Sequence, residues 1–281
     1  MTAQPIRLVA TDLDGTLLQS DRTINAWTRS VLDAVRARGV LVVPVTARQP
    51  VGLRPIAAEC GMDELADNAW ALCCNGALGL NLVTGEVLFE RLLEAGPALA
   101  LARAVAEELP EVRCVAVRDR GESFLAQEGY AAMASFTDHH RDPATMGGLP
   151  LDELLAAPNL KLVLRHPRLT PAELLAHVEA LGLAGVEATM SGANFVEVSA
   201  AGVSKASGLA ELCAGLGIGA EQVAAFGDAH NDIAMLRWAG TSYAMAHADQ
   251  QVRAAATGAT GSNDDDGVAR TLMDLMRAGR I

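Results

Sequence analysis

The protein has 281 residues, of which 51% are hydrophobic and 20% are charged, so it has the composition of a globular protein and not of a disordered chain. The formal net charge is -12 and no cluster of Lys and Arg stands out, which argues against a nucleic-acid partner because such partners require a basic face. No stretch approaches the roughly 20 apolar residues of a transmembrane helix, so no membrane partner is expected.

The cysteines and the amino terminus indicate a cytoplasmic protein. The five cysteines are odd in number and irregularly spaced, unlike a disulfide framework. Residues 1–5 lack a charged segment followed by a long apolar core, so a secretory signal is not expected. We therefore expect reduced, mostly buried thiols in the cytoplasm.

The first third of the chain alternates strand-like and helix-like segments. The apolar run 6–10 predicts a buried strand, and Asn25 predicts the N-cap of the helix that follows. Two further apolar runs, 40–45 and 70–74, predict strands, with a helix starting at Pro50 between them. Strands alternating with helices predict an α/β fold with a parallel sheet covered on both faces.

The middle of the chain, about 82–190, mixes strands and helices and has turn signals of its own. The Thr-Gly pair at 84–85 predicts the tip of a hairpin, and a capping box at 170–173 predicts the start of a helix. From position 223 the first pattern returns. The chain is therefore predicted to leave one domain after the third strand and to rejoin it near position 195, which describes an inserted domain.

Two carboxylates follow the first predicted strand directly. In extended backbone, residues i and i+2 point the same way, so Asp12 and Asp14 can face one site at the carboxyl end of the sheet, and Gly15 permits the turn that follows. Two close carboxylates raise each other's pKa unless a cation intervenes. A divalent metal would keep Asp12 ionised while Asp14 carries a proton. Taken alone, however, this short segment is more typical of a turn with a helix cap.

Three distant segments place further polar groups at strand ends or helix starts. Thr46 closes the second strand and offers a hydroxyl donor, and Lys205 is a lone cation that opens a helix. The segment 227–232 follows another strand and supplies the hard oxygen ligands that magnesium prefers. Each segment has an ordinary structural interpretation, as a helix cap, a solvated lysine or a turn. Their joint occurrence in this order favours one shared site.

Together these motifs resemble the haloacid dehalogenase superfamily and, within it, the Cof-type phosphatases. The four family motifs are matched, in order, by Asp12–Thr16, Thr46, Lys205 and Gly227–Asp232. The segment Asn75–Ala77 matches the Asn-Gly turn that follows the third strand in this family, and Ser262–Ala269 matches the C-terminal signature. The resemblance covers essentially the whole chain. It implies a Rossmann-like parallel-sheet core, residues 1–81 and 191–281, with an inserted mixed α/β cap domain, residues 82–190, that selects the substrate.

The resemblance also implies a role for each site residue. Asp12 would be the nucleophile and Asp14 the general acid and base, while Mg²⁺ would be held by Asp12, the backbone carbonyl of Asp14, and Asp228. The remaining implied roles are phosphate binding by Thr46 and Lys205, substrate binding by Arg48, Asn75 and Gly76, and support of the metal shell by Asn231 and Asp232.

The expected reaction is therefore magnesium-dependent hydrolysis of a small phosphorylated metabolite through an aspartyl-phosphate. Sugar phosphates are the default substrates, and phosphorylated cofactors such as flavin mononucleotide or pyridoxal phosphate are the other class. Two alternatives stay open. One is a phosphomutase of the same fold, which is an isomerase. The other is a non-catalytic sensor of phosphorylated metabolites, which ought to have lost a motif residue. The oligomeric state is left open.

Histidines and acidic runs outside these motifs carry weaker signals. The segment 138–142, Asp-His-His-Arg-Asp, resembles a metal cluster, but adjacent histidines rarely share a metal, so an exposed loop is expected. His230 is expected to face solvent, and no partner is identified for His247. The acidic run 264–266 is interpreted as a solvated entry to the last helix, favoured by the helix dipole.

Overall fold

The computed structural model describes residues 4–64, 66, 69–139 and 141–281, in which strands and helices alternate. The strands, in chain order, are β1 (Leu8–Thr11), β2 (Leu41–Pro44), β3 (Trp70–Cys73), β4 (Leu78–Asn81), β5 (Val87–Glu90), β6 (Arg113–Arg118), β7 (Ser123–Ala126), β8 (Lys161–Arg165), β9 (Val186–Thr189), β10 (Val196–Ala200), β11 (Val223–Gly227), β12 (Thr241–Ala244) and β13 (Gly258–Ala259). The α-helices are α1 (Ala26–Arg36), α2 (Pro50–Glu59), α3 (Ala95–Glu108), α4 (Phe136–His139), α5 (Leu151–Leu154), α6 (Pro171–Ala180), α7 (Lys205–Leu216), α8 (Ile233–Trp238), α9 (Gln250–Ala255) and α10 (Gly267–Arg277).

A parallel sheet runs in the order β13-β12-β11-β1-β2. Every residue of β1 and β11 is buried, which explains why these strands read as continuous apolar runs without alternation. Thr11, the last residue of β1, lies beside Phe226 of β11 on one side and Pro44 of β2 on the other. Leu8 of the sheet packs in one buried cluster with Leu209 of α7. The parallel-sheet core predicted from the sequence is confirmed.

The third predicted strand belongs mainly to a second, smaller sheet. β3 is bridged in parallel to the first sheet through Leu72 and Val45, but it pairs along its length with β4 in antiparallel orientation, and β5 completes the order β3-β4-β5. Asn81 ends β4, and its side-chain oxygen accepts hydrogen bonds from the amides of Val83 and Thr84. This asparagine closes the turn between β4 and β5, as the hairpin prediction at 84–85 required.

A third sheet is antiparallel, in the order β7-β6-β8-β10-β9. Leu162 and Leu164 of β8 are buried in one cluster with Leu101 of α3 and Leu174 of α6. The two helices thus cover one face of this sheet. The capping box at the start of α6 is formed by Thr170 and Glu173, as predicted.

The chain divides into two compact units. The first comprises Met1–Arg48, Leu53–Phe89 and Ser204–Ile281, and the second comprises Gln49–Gly52 and Glu90–Val203. The second unit extends beyond position 190 because β10 pairs with β8 and β9. The division of the chain into a catalytic core (1–81 and 191–281) and a cap (82–190) stays a prediction. Among the described helices, none is both long enough and apolar enough to cross a membrane.

Candidate active site

The carboxyl ends of β1 and β11 meet at one edge of the parallel sheet. Asp12 follows β1, and its amide donates to the carbonyl of Phe226 in β11 across 3.0 Å. Asp228 follows β11 directly. Because parallel strands end at the same edge, the register of these two strands brings both carboxylates together. One carboxylate oxygen from each of Asp12, Asp228 and Asp232 lies within 4.8 Å of the others.

Burial raises the free-energy cost of keeping these carboxylates charged. Asp12 is 6% exposed, and its burial raises its pKa well above the ordinary value. The positive charge of Lys205 opposes this rise in pKa, whereas the charges of Asp232 and Asp228 add to it. The pKa of Asp228 is raised as well, first by burial and then by Asp232. Such a cluster is stabilised by a divalent cation.

Lys205 lies between two of these carboxylates. Ser204 caps α7 by accepting a hydrogen bond from the amide of Ser207, which places Lys205 at the first position of the helix. The lysine side chain is fully buried, and its Nζ lies 2.8 Å from Asp12 Oδ1 and 2.6 Å from Asp232 Oδ1. Burial alone would lower the pKa of Lys205, but the two carboxylates outweigh burial and raise the pKa. The ammonium group therefore stays charged.

Asp232 has its acceptors occupied by donors of the protein. Its Oδ1 accepts from Lys205, and its Oδ2 accepts from the amides of Asp228 and Ala229 at 3.0 Å each. These bonds shape the loop after β11 around the Asp232 carboxylate. The predicted role of Asp232 in supporting the metal shell stays a prediction.

Asp228 is held by neighbours on both of its oxygens. Oδ1 accepts from Thr16 Oγ1 across 2.7 Å, and Oδ2 lies 3.5 Å from His247 Nε2. Gly15 approaches the same carboxylate so closely that a β carbon there would lie 2.6 Å from Asp228 Oδ2. Sequence reasoning missed His247 as a neighbour, because this residue follows β12, far along the chain, and lies in none of the motifs.

Asp14 is paired with Arg48. Arg48 donates from Nε to Asp14 Oδ2 across 2.7 Å and from Nη2 to Oδ1 across 2.5 Å, which is a bidentate arrangement. Burial alone would raise the pKa of Asp14, but the hydrogen bonds and the charge of Arg48 outweigh burial and lower the pKa. Asp14 is therefore held as a carboxylate in this arrangement.

Thr46 and Asn75 lie close to these groups in the fold but differ in their surroundings. Thr46 follows β2, is buried, and accepts a hydrogen bond from the amide of Arg48 on its Oγ1. Asn75 is also buried, and its Oδ1 accepts from Asn231 Nδ2 across 2.9 Å. The implied roles of Thr46, Asn75 and Gly76 in binding phosphate or substrate stay predictions.

The acidic run near the C-terminus is more than a solvated helix entry. Asp264 accepts hydrogen bonds from the amide and the hydroxyl of Ser20, each at 2.7 Å. Asp266 accepts from Asn25 Nδ2 and from Thr28 Oγ1. These bonds hold the segment that follows the Asp12 loop in place. They could not be predicted from local sequence patterns, because the partners are more than 230 positions apart.

The segment 138–142 is not simply an exposed loop. His139 ends α4, its Nε2 lies 2.6 Å from the hydroxyl of Tyr130, and its ring stacks on Phe195 at 4.8 Å. Asp138 pairs with Arg165. The exposed-loop expectation is therefore wrong for Asp138 and His139, because Arg165 and Phe195 from elsewhere in the second unit leave them half-buried. His140 lies outside the described residues, and His230 is half-buried.

The donor set fits a hard divalent cation. Asp12, Asp228 and Asp232 form the group of candidate metal ligands found among the described residues, and all three offer oxygen. Asn231 adds a buried amide oxygen, Oδ1, that has no hydrogen-bond partner in the described part of the chain. Magnesium and calcium both prefer such oxygen ligands.

Comparison with known proteins gives the family. The family of haloacid dehalogenase-like hydrolases matches residues 9–272. The 5-amino-6-(5-phospho-D-ribitylamino)uracil phosphatase YbjI of Escherichia coli is 30% identical, with 97% of this chain and 97% of that protein covered. The pyridoxal phosphate phosphatase YbhA of the same organism is 29% identical, with 94% and 96% covered.

A solved structure shows the same fold. The sugar phosphatase BT4131, of subclass IIB of the superfamily, superposes with a TM-score of 0.81 at 24% identity, covering 98% of this chain and 100% of that chain. The predicted α/β architecture is confirmed by this likeness. The chain belongs to the haloacid dehalogenase-like hydrolases and is a phosphatase of that family.

Proposed function

We propose that this phosphatase is magnesium-dependent and hydrolyses a small phosphorylated metabolite through an aspartyl-phosphate on Asp12. The observation that carries the proposal is the position of Asp12. Its carboxylate is buried at the end of β1, 2.8 Å from the ammonium of Lys205 and within 4.8 Å of the oxygens of Asp228 and Asp232. Lys205 together with a bound magnesium ion would keep this carboxylate ionised, and the neighbouring carboxylates would draw a metal–phosphate pair to it.

The reaction has two steps. An oxygen of Asp12 attacks phosphorus, the bond to the leaving oxygen breaks, and that oxygen takes a proton from Asp14. Asp14 then removes a proton from water, the water oxygen attacks phosphorus, and the bond to Asp12 breaks. Inorganic phosphate leaves and the Asp12 carboxylate is restored.

The pairing of Asp14 with Arg48 corresponds to the state that acts as a base. To donate a proton in the first step, Asp14 has to leave Arg48, whose guanidinium then becomes available to an anionic substrate. This exchange of partners is consistent with the implied role of Arg48 in substrate binding.

Asp12, Asp228 and the backbone carbonyl of Asp14 would hold magnesium. The metal would supply positive charge that offsets the repulsion between the attacking carboxylate and the phosphoryl oxygens. Thr46 and Lys205 would hold those oxygens, with Lys205 also restraining Asp12. Asn231 and Asp232 would orient this shell.

The substrate class is a sugar phosphate or a cofactor phosphate. The names of the relatives support this class, since they specify pyridoxal phosphate and a ribitylamino uracil phosphate, and the matched structure is that of a sugar phosphatase. The segment 82–190 would be the cap that selects the leaving group. A location in the cytoplasm stays a prediction, and the five buried cysteines, none of which forms a disulfide, support it.

The test is release of inorganic phosphate from a broad panel of phosphate esters, with and without magnesium. The wild-type protein should release phosphate, lose this activity in chelator and regain it with magnesium. Asp12→Asn should lower the rate by at least about a hundredfold, whereas Asp33→Asn, on the surface of α1, should not. Full activity of Asp12→Asn would refute the covalent route, and conversion to an isomeric phosphate without phosphate release would indicate the mutase.

A further inference from the structure

The turn after β3, residues Cys74–Gly76, has an unusual backbone. All three residues have positive φ, at 52°, 58° and 88°. Asn75 lies in the middle of the turn and is 2% exposed. A buried asparagine with left-handed backbone is uncommon and calls for a stabilising environment.

This turn is bonded to the loop that carries Thr46. The amide of Asn75 donates to the carbonyl of Thr46, and the amide of Cys74 donates to the carbonyl of Arg48, each across 3.0 Å. The turn also packs against the start of α7, since a β carbon on Gly76 would lie 2.3 Å from the carbonyl oxygen of Ser204. The turn therefore contacts two of the segments that form the site.

The side chain of Asn75 reaches the third segment, the loop after β11. Its Oδ1 accepts a hydrogen bond from Asn231 Nδ2 across 2.9 Å. An amide has one oxygen face and one NH₂ face, so this bond fixes which way the Asn231 amide points. The Asn231 NH₂ group is turned toward Asn75, and Asn231 Oδ1 is left as a buried acceptor with no partner among the described residues.

We propose that Asn75 is a positioning residue that orients Asn231 so that its Oδ1, and not its NH₂ group, is offered to the metal shell. Asn231 lies between Asp228 and Asp232 in the loop whose carboxylates belong to the candidate metal group. An NH₂ group directed toward a cation would repel it, whereas an amide oxygen binds the cation or its water. The inference rests on the proposed magnesium site, and it assigns Asn75 a task other than substrate binding.

The test measures binding of magnesium alone by calorimetry, which does not depend on turnover. Asn75→Gly removes the acceptor and keeps a residue that tolerates left-handed backbone. It should weaken magnesium binding by about ten- to a hundredfold, the usual effect of losing such an outer contact. The loss should not add to that of Asn231→Ala when the two changes are combined, because both remove the same oriented oxygen.

The matched control is Asn81→Gly. Asn81 is also 2% exposed, and its side-chain oxygen accepts hydrogen bonds from backbone amides of the β4–β5 turn. This variant should lower the melting temperature without changing magnesium affinity. Asn75→Asp keeps an acceptor oxygen and should bind magnesium at least as tightly as wild type, which keeps the test decisive if Asn75→Gly does not fold.

Each outcome bears on a defined claim. Wild-type affinity in Asn75→Gly, additive losses in the double variant, or a tenfold loss in Asn75→Asp would overturn the role of Asn75 and leave the proposed function standing. Absence of magnesium binding to the wild-type protein would overturn the metal part of the proposed function together with this inference.

Discussion

The Cα of Gly15 lies so close to Asp228 that a β carbon on it would come within 2.6 Å of the carboxylate oxygen Oδ2. Gly15 follows Asp12 and Asp14 in the loop after β1, and Asp228 follows β11, more than two hundred positions later. The close approach of the two loops therefore requires the one residue that has no side chain. Gly15 also has a φ of +76°, which glycine adopts without strain.

Replacing Gly15 by alanine should displace Asp228. The added methyl group must move the carboxylate, and left-handed backbone costs alanine roughly 1–2 kcal/mol. We expect weaker magnesium binding and a lower rate of phosphate release, measured by calorimetry and by a phosphate assay. Gly85→Ala is the control, because Gly85 has a φ of +73° but, apart from its two chain neighbours, no atom of the described residues lies within 4 Å of its added β carbon. If Gly85→Ala impaired magnesium binding equally, backbone strain and not the contact with Asp228 would be the cause.

Replacing Lys205 by methionine should destabilise the protein at neutral pH. Asp12 and Asp232 would then be two buried carboxylates without their shared cation, and breaking a buried pair typically costs about 3–5 kcal/mol. The free energy of unfolding in urea measures this effect.

Adding Asp232→Asn to Lys205→Met should recover part of the lost stability, because one of the uncompensated charges is removed. Lys161→Met, which breaks the buried pair with Glu197 in the second unit, should also destabilise the protein but should not show recovery with Asp232→Asn. Equal recovery in both backgrounds would argue against a specific coupling between Lys205 and Asp232.

His139 should make stability depend on pH. Burial lowers its pKa to about 4, with the charge of Lys161 as the next cause. In the unfolded chain a histidine has a pKa of about 6.5, so the unfolded state binds the proton first as pH falls. Keeping His139 neutral therefore adds to the free energy of unfolding in full above about pH 6.5, and this stabilisation is lost as the pH falls toward 4. The stabilisation lost is at most about 3 kcal/mol.

The slope of unfolding free energy against pH between about 4 and 6.5 should therefore be smaller in His139→Phe than in wild type. The comparison uses slopes, because this variant also removes the partner of the buried Tyr130 hydroxyl and lowers stability at every pH. His177→Gln, at a half-exposed position on α6, is the control for replacing a histidine elsewhere in the second unit. An unchanged slope in His139→Phe would show that other groups dominate this pH range.

The cysteines should be unreactive in the folded protein. All five are buried and outside any disulfide, and burial raises the pKa of Cys60 and Cys114 to about 12 and that of Cys213 to about 11. Since the thiolate is the reactive form, a thiol reagent at pH 8 should label none of them within minutes. In denaturant, five thiols per chain should react. Rapid labelling of the native protein would reveal local opening around the labelled cysteine.

The parts of the fold that sequence predicts well are those fixed by local patterns. β1 and β11 are buried apolar runs followed at once by carboxylates, so both the strands and the positions of Asp12 and Asp228 follow from adjacent residues. The same holds for the capped starts of α1 and α6.

What escaped prediction depends on contacts between distant segments. A lone lysine usually lies at the surface, and only the meeting of α7 with the loops after β1 and β11 makes Lys205 fully buried. His247 and Asp264 likewise gain partners through tertiary structure alone. The pairing of β10 with β8 likewise has no signal in the apolar pattern of β10, and the predicted limit of the cap at position 190 stays a prediction.

The strand order also decides when during synthesis the site can form. β1 is synthesised more than two hundred positions before its neighbour β11, which ends at Gly227, and the amide of Ile6 bonds to the carbonyl of Arg280. Residues 90–203, in contrast, form one continuous stretch with their own buried cluster. Because contacts between distant positions form late, we expect the second unit to fold before β11 has been synthesised, and the phosphatase site to close only after β11 has left the ribosome.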